Sequence, residues 1–445
     1  MKLHGLAIAA LVLAILTWFL YWSERHKPAD ETSKLSADTP PAILKLDQNS
    51  ITNIELKKKD ADPIVLTKSG SGDWQITEPK PSRADQGAVT SIASTLSSLN
   101  SERVVEDKAS GLQDFGLAQP VLEVDLTAKD KTQKLILGAD TPAGGAVYAM
   151  LSGDPRLFTV GSSTKTSLNK TLNDLRDKRL LPVDADKISQ IAVVQKNSDI
   201  EFGRNKDDWQ ILKPKPMRAD SIQVGDLVRD LTNAKMDFSS ADAKQEAVEF
   251  GRATPVATAK LTDESGTQQL QVLKSKDTYY AKSTAVDGVY KIDSGLGKTL
   301  EKNVDEFRDK KLFDFGDNDP NKIELHNADK AYFLTRGTGG VDDWWSDGKK
   351  MDGANVESVI SDLRDLTATS FPASGFASPT IRANVVSQDG KRTENVQIAK
   401  FGDHYIAQRE NDSTLYELGA SAVDGLLKAV QDLKPAQAQA VQNKK

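Results

Sequence analysis

The 445-residue sequence contains no cysteine. This absence excludes disulfide bonds, thiolate catalysis and metal sites with cysteine ligands. It also excludes anchoring through a lipid-modified cysteine, as in a lipoprotein. A chain without cysteine is compatible with an oxidising compartment, where free thiols would be oxidised.

Histidine is scarce, with only four copies in the chain. His4 and His26 flank the N-terminal hydrophobic run, whereas His326 and His404 have no partner at the spacing of a metal site. The sequence therefore favours neither a histidine-ligated zinc site nor a Ser-His-Asp triad. We predict that the protein is not an enzyme and has no catalytic residue, metal or cofactor.

An excess of positive charge is also absent, since the formal net charge is −6 at pH 7. Proteins that bind nucleic acid need a basic face that neutralises the phosphates. We therefore predict no nucleic-acid partner. Outside the N-terminus the composition is that of a soluble globular protein, with 38% apolar and 27% charged residues.

Long hydrophobic runs are limited to one, residues 5–22, which carry no charge. A helix over this run spans ~27 Å, close to the ~30 Å hydrocarbon core of a bilayer. The run ends in an aromatic cluster between Trp18 and Trp22, as at a membrane interface. A cleavable signal peptide is the alternative, but these bulky rings leave no small-residue cleavage site. We predict an uncleaved transmembrane helix that contacts the membrane through residues 5–22.

The charges around this run give no clear orientation, because Lys2 on one side is nearly balanced by Arg25 and Lys27 beside Glu24 on the other. A short anchor in front of a large domain favours export of that domain. We therefore expect a single-pass protein of the inner (cytoplasmic) membrane, with the bulk of the chain extracytoplasmic.

A repeated stretch organises the remainder of the chain. Its three copies begin at Trp74, Trp209 and Trp344, which are 135 residues apart. The first two copies continue through a proline to Arg-Ala-Asp and an amphipathic helical pattern, and the third reads Lys350-Met-Asp at the same place. A period of this length indicates a duplicated domain rather than a solenoid.

We predict these segments from the repeat: an anchor with its flanks (1–27), a linker (28–48), module 1 (49–182), module 2 (183–316), a divergent terminal module 3 (317–433) and a disordered tail (434–445). Within each module, alternating apolar residues predict three strands, then a helix, a second sheet of four strands and a closing helix. In module 1 the closing helix is expected over residues 163–175. The fold class is therefore α+β, mainly antiparallel sheet with two helices per module.

An aspartate stands four residues before the first apolar position of each predicted helix: Asp85, Asp220 and Asp352. This fixed offset is typical of an N-cap, whose carboxylate accepts hydrogen bonds from the first helical turn. The alternative is a ligand-binding or catalytic acid. Asp85 with Asp114 is the one carboxylate pair we consider for hydrolysis.

The repeated tryptophans also have two interpretations. Trp74, Trp209 and Trp344 each stand at the end of the three predicted strands. Such a ring usually covers the core of its own module, and it can also stack on a sugar or an apolar ligand. We keep Trp74 and Trp209 as candidate contact residues.

An Arg-Asp-Lys sequence ends only the two modules that have a successor, at residues 176–178 and 308–310. Arg176 and Arg308 could hold an anion, with Asp177 and Asp309 beside them. The alternative is a structural role at the junctions, including a salt-bridge network between modules. The four residues are candidate ligand or partner contacts.

These motifs resemble a known family. The helix start with Trp, Pro and Ala-Asp in that order but not adjacent, Phe115-Gly-Leu before Pro120, the Gly-rich turn at 138–145 and the Leu-Arg-Asp-Lys ending are similar to the bacterial family called domain of unknown function 4340. The resemblance covers residues 1–180 and extends through module 2, whereas in module 3 it rests on the period and the pattern. It implies no established activity and no catalytic residue. It implies membrane-anchored proteins that are associated with ABC-type transporters and gliding-type auxiliary subunits.

Three hypotheses follow. The first is a non-enzymatic, membrane-anchored accessory or scaffold subunit of an envelope complex, with an ABC-type permease as the partner that the resemblance implies. The second is a module that binds an envelope glycan, lipid or peptide. The third and most remote is a hydrolase that uses paired carboxylates.

Overall fold

The structure, a computed structural model, describes residues 41–206, 208–238, 243–315, 320–340 and 343–436. The predicted anchor, residues 28–40 of the linker and residues 437–445 of the tail lie outside the described residues. No helix in these described ranges is long and apolar enough to cross a membrane. The described chain forms three antiparallel sheets with helices, which confirms the α+β class and the three tandem modules.

The first sheet has nine strands in the order β4-β3-β2-β1-β6-β7-β8-β9-β5. They are β1 (Ile51–Lys58), β2 (Ile64–Lys68), β3 (Trp74–Glu78), β4 (Ser82–Arg83), β5 (Arg103–Glu106), β6 (Leu122–Ala128), β7 (Lys131–Asp140), β8 (Ala146–Leu151) and β9 (Leu157–Gly161). The helices of this module are α1 (Gln86–Ser97), α2 (Ser162–Leu168) and α3 (Leu172–Leu175), and a 3-10 turn covers Gln48–Ser50.

The second sheet has eight strands in the order β13-β12-β11-β10-β14-β15-β16-β17. They are β10 (Gln190–Gln195), β11 (Asp199–Asn205), β12 (Asp208–Lys213), β13 (Met217–Arg218), β14 (Thr254–Asp263), β15 (Gly266–Ser275), β16 (Thr278–Ser283) and β17 (Tyr290–Ile292). Its helices are α4 (Ser221–Thr232), α5 (Ala243–Arg252) and α6 (Ser294–Glu301), with 3-10 turns at Ala185–Lys187 and Val304–Phe307.

The third sheet has eight strands in the order β21-β20-β19-β18-β22-β23-β24-β25. They are β18 (Lys322–Asn327), β19 (Lys330–Arg336), β20 (Trp344–Ser346), β21 (Lys349–Lys350), β22 (Ile381–Ser387), β23 (Arg392–Phe401), β24 (His404–Arg409) and β25 (Leu415–Leu418). Its helices are α7 (Gly353–Asp365) and α8 (Ala420–Gln431), and a 3-10 turn covers Gln388–Gly390.

The expectation of two separate sheets per module is wrong. In module 1, β1 pairs with β2 on one side and with β6 on the other, so both groups of strands join in one sheet. The equivalent strands β10 and β18 join the two groups of strands in modules 2 and 3. One continuous sheet buries more of its backbone hydrogen bonds than two small sheets, which would leave two additional unpaired edges.

Two helical details also differ from the sequence prediction. The closing helix of module 1 is interrupted between Leu168 and Leu172, so that it forms α2 and α3 rather than one helix. Thr171 begins α3 with a capping box to Asp174. Module 2 contains the additional helix α5, which the sequence pattern did not predict.

Each sheet packs one face on its helices. Along β6 every second residue, from Leu122 to Ala128, is buried, as in a strand with one face in a core. The buried stripe of α1 consists of Val89, Ile92, Ala93 and Leu96, as the helical period predicts, and lies in the same core. The opposite face of each sheet carries mostly polar side chains.

The chain divides into two compact units, and the division falls between Lys178 and Arg179. Leu180 and Leu181 pack in the core of module 2 rather than in that of module 1. Phe313 and Phe315 likewise pack in the core of module 3. Modules 2 and 3 belong to the same compact unit.

Candidate functional site

The three repeated aspartates cap the helices that follow them. Asp85 accepts a hydrogen bond from the Ala88 amide at 2.9 Å, and Asp220 accepts from the Gln223 amide at 3.1 Å. Asp352 begins α7 in the same way. The N-cap interpretation is therefore confirmed, and the first-turn amides supply its electrostatic reason. A ligand contact at Asp85 or Asp220 stays a prediction.

The three repeated tryptophans are core residues. Trp74, Trp209 and Trp344 have exposed fractions of 5%, 8% and 2%, and each belongs to the core of its own module. Their rings are therefore largely unavailable for stacking in the folded state. The core interpretation is confirmed, and a ligand contact through either of the first two stays a prediction.

Sequence reasoning missed a cation beside each tryptophan ring. The cation belongs to the residue directly opposite on the neighbouring strand. The distances from the cation to the ring centroid are 5.8 Å for Lys68 and Trp74, 5.8 Å for Arg204 and Trp209, and 5.0 Å for Arg336 and Trp344. The signal in the sequence is the basic residue near the end of the strand before each tryptophan. The pair is a cation–π contact at the rim of each core.

The Arg-Ala-Asp and Arg-Asp-Lys motifs pair with each other inside one module. In module 1, Ala84 forms an antiparallel bridge with Arg176, and the Asp177 amide donates to the Arg83 carbonyl at 3.0 Å. The Arg83 guanidinium also donates to the buried Asp177 carboxylate at 3.3 Å. We call this backbone pairing the closing bridge. It joins the start of the first helix to the end of the module.

The closing bridge recurs in module 2. There Ala219 pairs with Arg308, and Arg218 forms an ion pair with Asp309. Burial lowers the pKa of the Arg218 guanidinium, but Asp309 and Tyr416 outweigh this effect and raise it overall. The structure therefore brings both motifs together and uses their charges to close a module.

Module 3 keeps the bridge without the ion pair. Met351 pairs with Pro435, and the Asp352 amide donates to the Lys434 carbonyl at 3.0 Å. The arginine of the first motif is Lys350 here, and it contacts Asp343 at 3.2 Å instead. In module 3 a lysine replaces the arginine of the first motif, and the Arg-Asp-Lys motif is missing. This joint change in one copy is the signal in the sequence that the two motifs contact each other.

Residues 308–312 connect modules 2 and 3 through hydrogen bonds on both sides. The Asp309 amide donates to the Arg218 carbonyl of module 2 at 3.1 Å. The Ala368 amide of module 3 donates to the Lys310 carbonyl at 2.8 Å. The Arg308 guanidinium, whose residue is buried, stacks on the Phe371 ring of module 3 at 3.6 Å. The second Arg-Asp-Lys therefore closes module 2 and also connects it to module 3, which agrees with the predicted role at the junction.

A buried polar cluster lies beside this junction. The Glu394 side chain is 3% exposed and accepts from Arg409 at 2.9 Å and from the Asp314 amide at 3.0 Å. Nearby, the Tyr416 hydroxyl donates to Asp412 at 2.7 Å. Burial, with the hydrogen bond to Asp412, raises the pKa of Tyr416 to about 12. These groups are satisfied by one another, as buried charges must be.

A large concave feature lies on the face of the third sheet that is turned away from its helices. It has a volume of about 1090 Å³. We call it the third-sheet groove and define it by the outward side chains of β18, β22, β23 and β24, namely Glu324, His326, Arg382, Asn384, Asn395, Gln397 and Gln408, together with Glu410. No sequence motif indicated it.

Register places the groove residues in two rows across the sheet. Glu324 is opposite Asn384, which is opposite Asn395. His326 is opposite Arg382, and beyond them follow Gln397 and Gln408. Because side chains opposite each other on one face are neighbours, each row forms a continuous polar strip.

Hydrogen bonds hold several of these side chains in place. Glu324 contacts His326 with 2.7 Å between the carboxylate oxygen and the ring nitrogen. The Asn384 amide donates to Asn395, whose own amide donates to Glu410. The groove thus presents both hydrogen-bond donors and hydrogen-bond acceptors in fixed positions.

The described residues contain no group of three histidine or acidic side chains that could hold a metal ion. The expected absence of a metal and of a cofactor stays a prediction. The same is true of the candidate hydrolase pair, in which Asp85 caps α1 and Asp114 lies in the loop before β6.

The family described as "Domain of unknown function (DUF4340)" matches residues 74–214 and 209–381. Together the two segments span residues 74–381, more than half of the chain. The chain belongs to this family. Each DUF4340 segment begins at a repeated tryptophan and continues past the next Arg-Asp-Lys, so each matched segment contains the residues of one closing bridge. The predicted family is confirmed.

No curated protein matches the chain. Among solved structures, similarity is found to a Pseudomonas aeruginosa DNA polymerase sliding clamp with ligand, at 7% identity and a TM-score of 0.18, covering 84% of this chain and 93% of the clamp. The P. aeruginosa DNA polymerase III subunit beta shows 6% identity and a TM-score of 0.18, covering 84% and 92%. At these TM-scores the likeness supports no inference for this DUF4340 protein.

Proposed function

We propose that the protein is a non-enzymatic accessory or scaffold subunit of an envelope complex, with an ABC-type transporter as the partner class. In this proposal a single transmembrane helix over residues 5–22 holds the three modules on the extracytoplasmic side of the inner membrane. One observation carries the proposal. The residues that recur from module to module stabilise the fold of each single module, and each sheet turns a polar face outward.

Three kinds of contact make up this observation. The repeated aspartates cap helices, the repeated tryptophans fill cores, and Arg83 and Arg218 pair with Asp177 and Asp309. The repeated residues thus stabilise the same type of sheet in each of the three modules. Three such sheets on a membrane anchor suit a protein that presents surfaces to a partner, since sequence variation on the outward faces leaves the core intact.

The partner is tested by affinity purification of the tagged, full-length protein from gently solubilised native membranes, followed by mass spectrometry. We expect a permease or ATPase at a fixed stoichiometry with the protein. A variant in which residues 1–27 are replaced by an unrelated single-span anchor is the control. Retention of the partner by this variant assigns the contact to the modules. Repeated recovery of the protein alone would contradict the accessory role.

The orientation can be tested because the chain has no cysteine. Ser71 is exposed on the turn between β2 and β3, so the substitution Ser71→Cys creates one accessible thiol. We expect a membrane-impermeant maleimide to label this variant in intact spheroplasts as fully as after lysis. The unsubstituted chain is the blank. Labelling that requires lysis would place the modules in the cytoplasm and overturn the proposed location.

A further inference from the structure

We propose that the third-sheet groove binds an uncharged oligosaccharide. This inference goes beyond the accessory role and is independent of it. It rests on the hydrogen-bonding groups of the groove, on their fixed positions, on the charge of the lining and on the contrast with the other two sheets.

The hydrogen-bonding groups of the groove match hydroxyl groups. Five carboxamides line it, those of Asn384, Asn395, Gln397, Gln408 and Asn411. Each carboxamide both donates and accepts hydrogen bonds, as does each hydroxyl of a sugar. The carboxylates of Glu324 and Glu410 add acceptors at the two sides of the floor. A ligand with many hydroxyls can therefore satisfy both kinds of group without a change of charge.

These groups are already positioned. Asn384, Asn395 and Glu410 form a hydrogen-bonded chain across adjacent strands, and Glu324 is held by His326. The antiparallel register of β18, β22 and β23 fixes the spacing of the strips. A site whose side chains are ordered before binding loses less conformational entropy when a ligand arrives. This matters for a sugar, which gains little from each hydrogen bond exchanged with water.

The charge of the lining favours a neutral ligand over an anionic one. Glu324, Asp329, Glu410 and Asp412 face two guanidinium groups, so the formal charge of the lining is −2 with neutral histidine. An anionic polymer or a phosphate-rich lipid headgroup would be repelled. A cationic ligand is the alternative that charge alone does not exclude. The carboxamides that line the groove carry no charge, and their paired donors and acceptors favour the neutral sugar.

The corresponding face of the first sheet differs in one decisive respect. There Lys57 pairs with Asp125 at 2.9 Å, and Lys134 pairs with Glu123 at 3.0 Å. The hydrogen bonds to Asp125 and Glu55 raise the pKa of Lys57 to about 12. These groups are partnered by ions of opposite sign. The amides of the third sheet keep unfilled donors and acceptors instead, because each has more sites than its neighbours occupy.

An aromatic ring lies next to the groove. Phe333 is 41% exposed, and its ring stands edge-on to His326 with 5.8 Å between the centroids. The face of a sugar ring that carries C–H groups packs well on such a surface, which is apolar and rigid. The second sheet offers Ala192 and Val194 on its central strand, paired with Lys260 and Thr258. The third sheet thus places amides, carboxylates and an aromatic ring on one face.

The test is titration calorimetry of the full-length protein in lipid nanodiscs, which avoid sugar-headed detergents. The probe is the uncharged hexamer of β-1,4-linked N-acetylglucosamine. We expect saturable binding, and we expect Asn384→Ala and Gln397→Ala each to weaken it about tenfold, or ~1.4 kcal/mol. Gln271→Ala is the matched control, because exposed Gln271 pairs with Thr258 on the second sheet as Gln397 pairs with Arg382 on the third. Its affinity should equal that of the unsubstituted chain.

Three results would overturn the inference: no saturable heat with the hexamer, equal affinity of all three variants, or tighter binding of the fully deacetylated, cationic hexamer. Melting curves of the variants identify any loss of affinity that comes from unfolding. None of these results bears on the co-purifying partner, so failure of the sugar site and failure of the accessory role remain distinguishable.

Discussion

Substitution of Trp344 by alanine is expected to lower the free energy of unfolding of module 3 by ~3–5 kcal/mol. The ring is among the largest fully buried side chains of the chain's described part, and its removal also deletes the contact with Arg336. Hydrogen exchange of peptides from β18 to β25, followed in increasing urea on the full-length protein, measures this change for one module at a time.

The neighbouring residue supplies a matched control. Trp345 is 41% exposed and donates one hydrogen bond to Asp343 at 3.0 Å. We expect Trp345→Ala to cost less than ~1 kcal/mol, since it opens no cavity in the core. Equal losses from the two substitutions would contradict the assignment of Trp344 to the core. Trp74 and Trp209 should behave like Trp344 in their own modules.

Substitution of Glu394 by alanine is expected to cost ~3–5 kcal/mol, because it leaves the Arg409 guanidinium buried without its carboxylate. The Arg409 side chain is 14% exposed and its second contact is the Leu312 carbonyl. The Asp314 amide also loses its acceptor. The same urea-dependent exchange, read on β23 and on residues 308–315, reports the loss.

A double substitution distinguishes the cost of the unpaired Arg409 charge from the cost of lost packing. Removing Arg409 together with Glu394 should restore part of the stability, since no buried charge is then left unpaired. Glu357→Ala is the surface control: Glu357 lies 3.9 Å from Arg364, its side chain is 60% exposed, and such pairs contribute ~0–1 kcal/mol. If Glu394→Ala has as small an effect as Glu357→Ala, the cluster does not stabilise the junction.

Local patterns in the sequence predicted the local structure. The offset between each aspartate and its apolar stripe predicted the N-caps at Asp85, Asp220 and Asp352, because a cap and its helix occupy adjacent residues. The 135-residue period predicted three modules of the same design. Helix α5 was missed because its segment has few apolar residues, which stand among charged and polar ones.

Features that join distant residues were not predictable in this way. The pairing of β1 with β6 closes a separation of more than 60 residues, and the ion pair of Arg83 with Asp177 closes 94. The third-sheet groove draws its residues from positions between Glu324 and Glu410, on four strands and the turn beyond them, with no shared local pattern. Only the register of the sheet brings these side chains to one surface.

The connection between modules 2 and 3 has a mechanical consequence. The Asp309 amide is bonded to module 2, and the carbonyl of the very next residue, Lys310, is bonded to module 3. A single peptide link therefore separates the two sets of hydrogen bonds and leaves no slack. Any tension or twist applied to one module passes directly to the other. Separating modules 2 and 3 therefore requires breaking hydrogen bonds of the segment itself. The two modules are expected to move together and not independently.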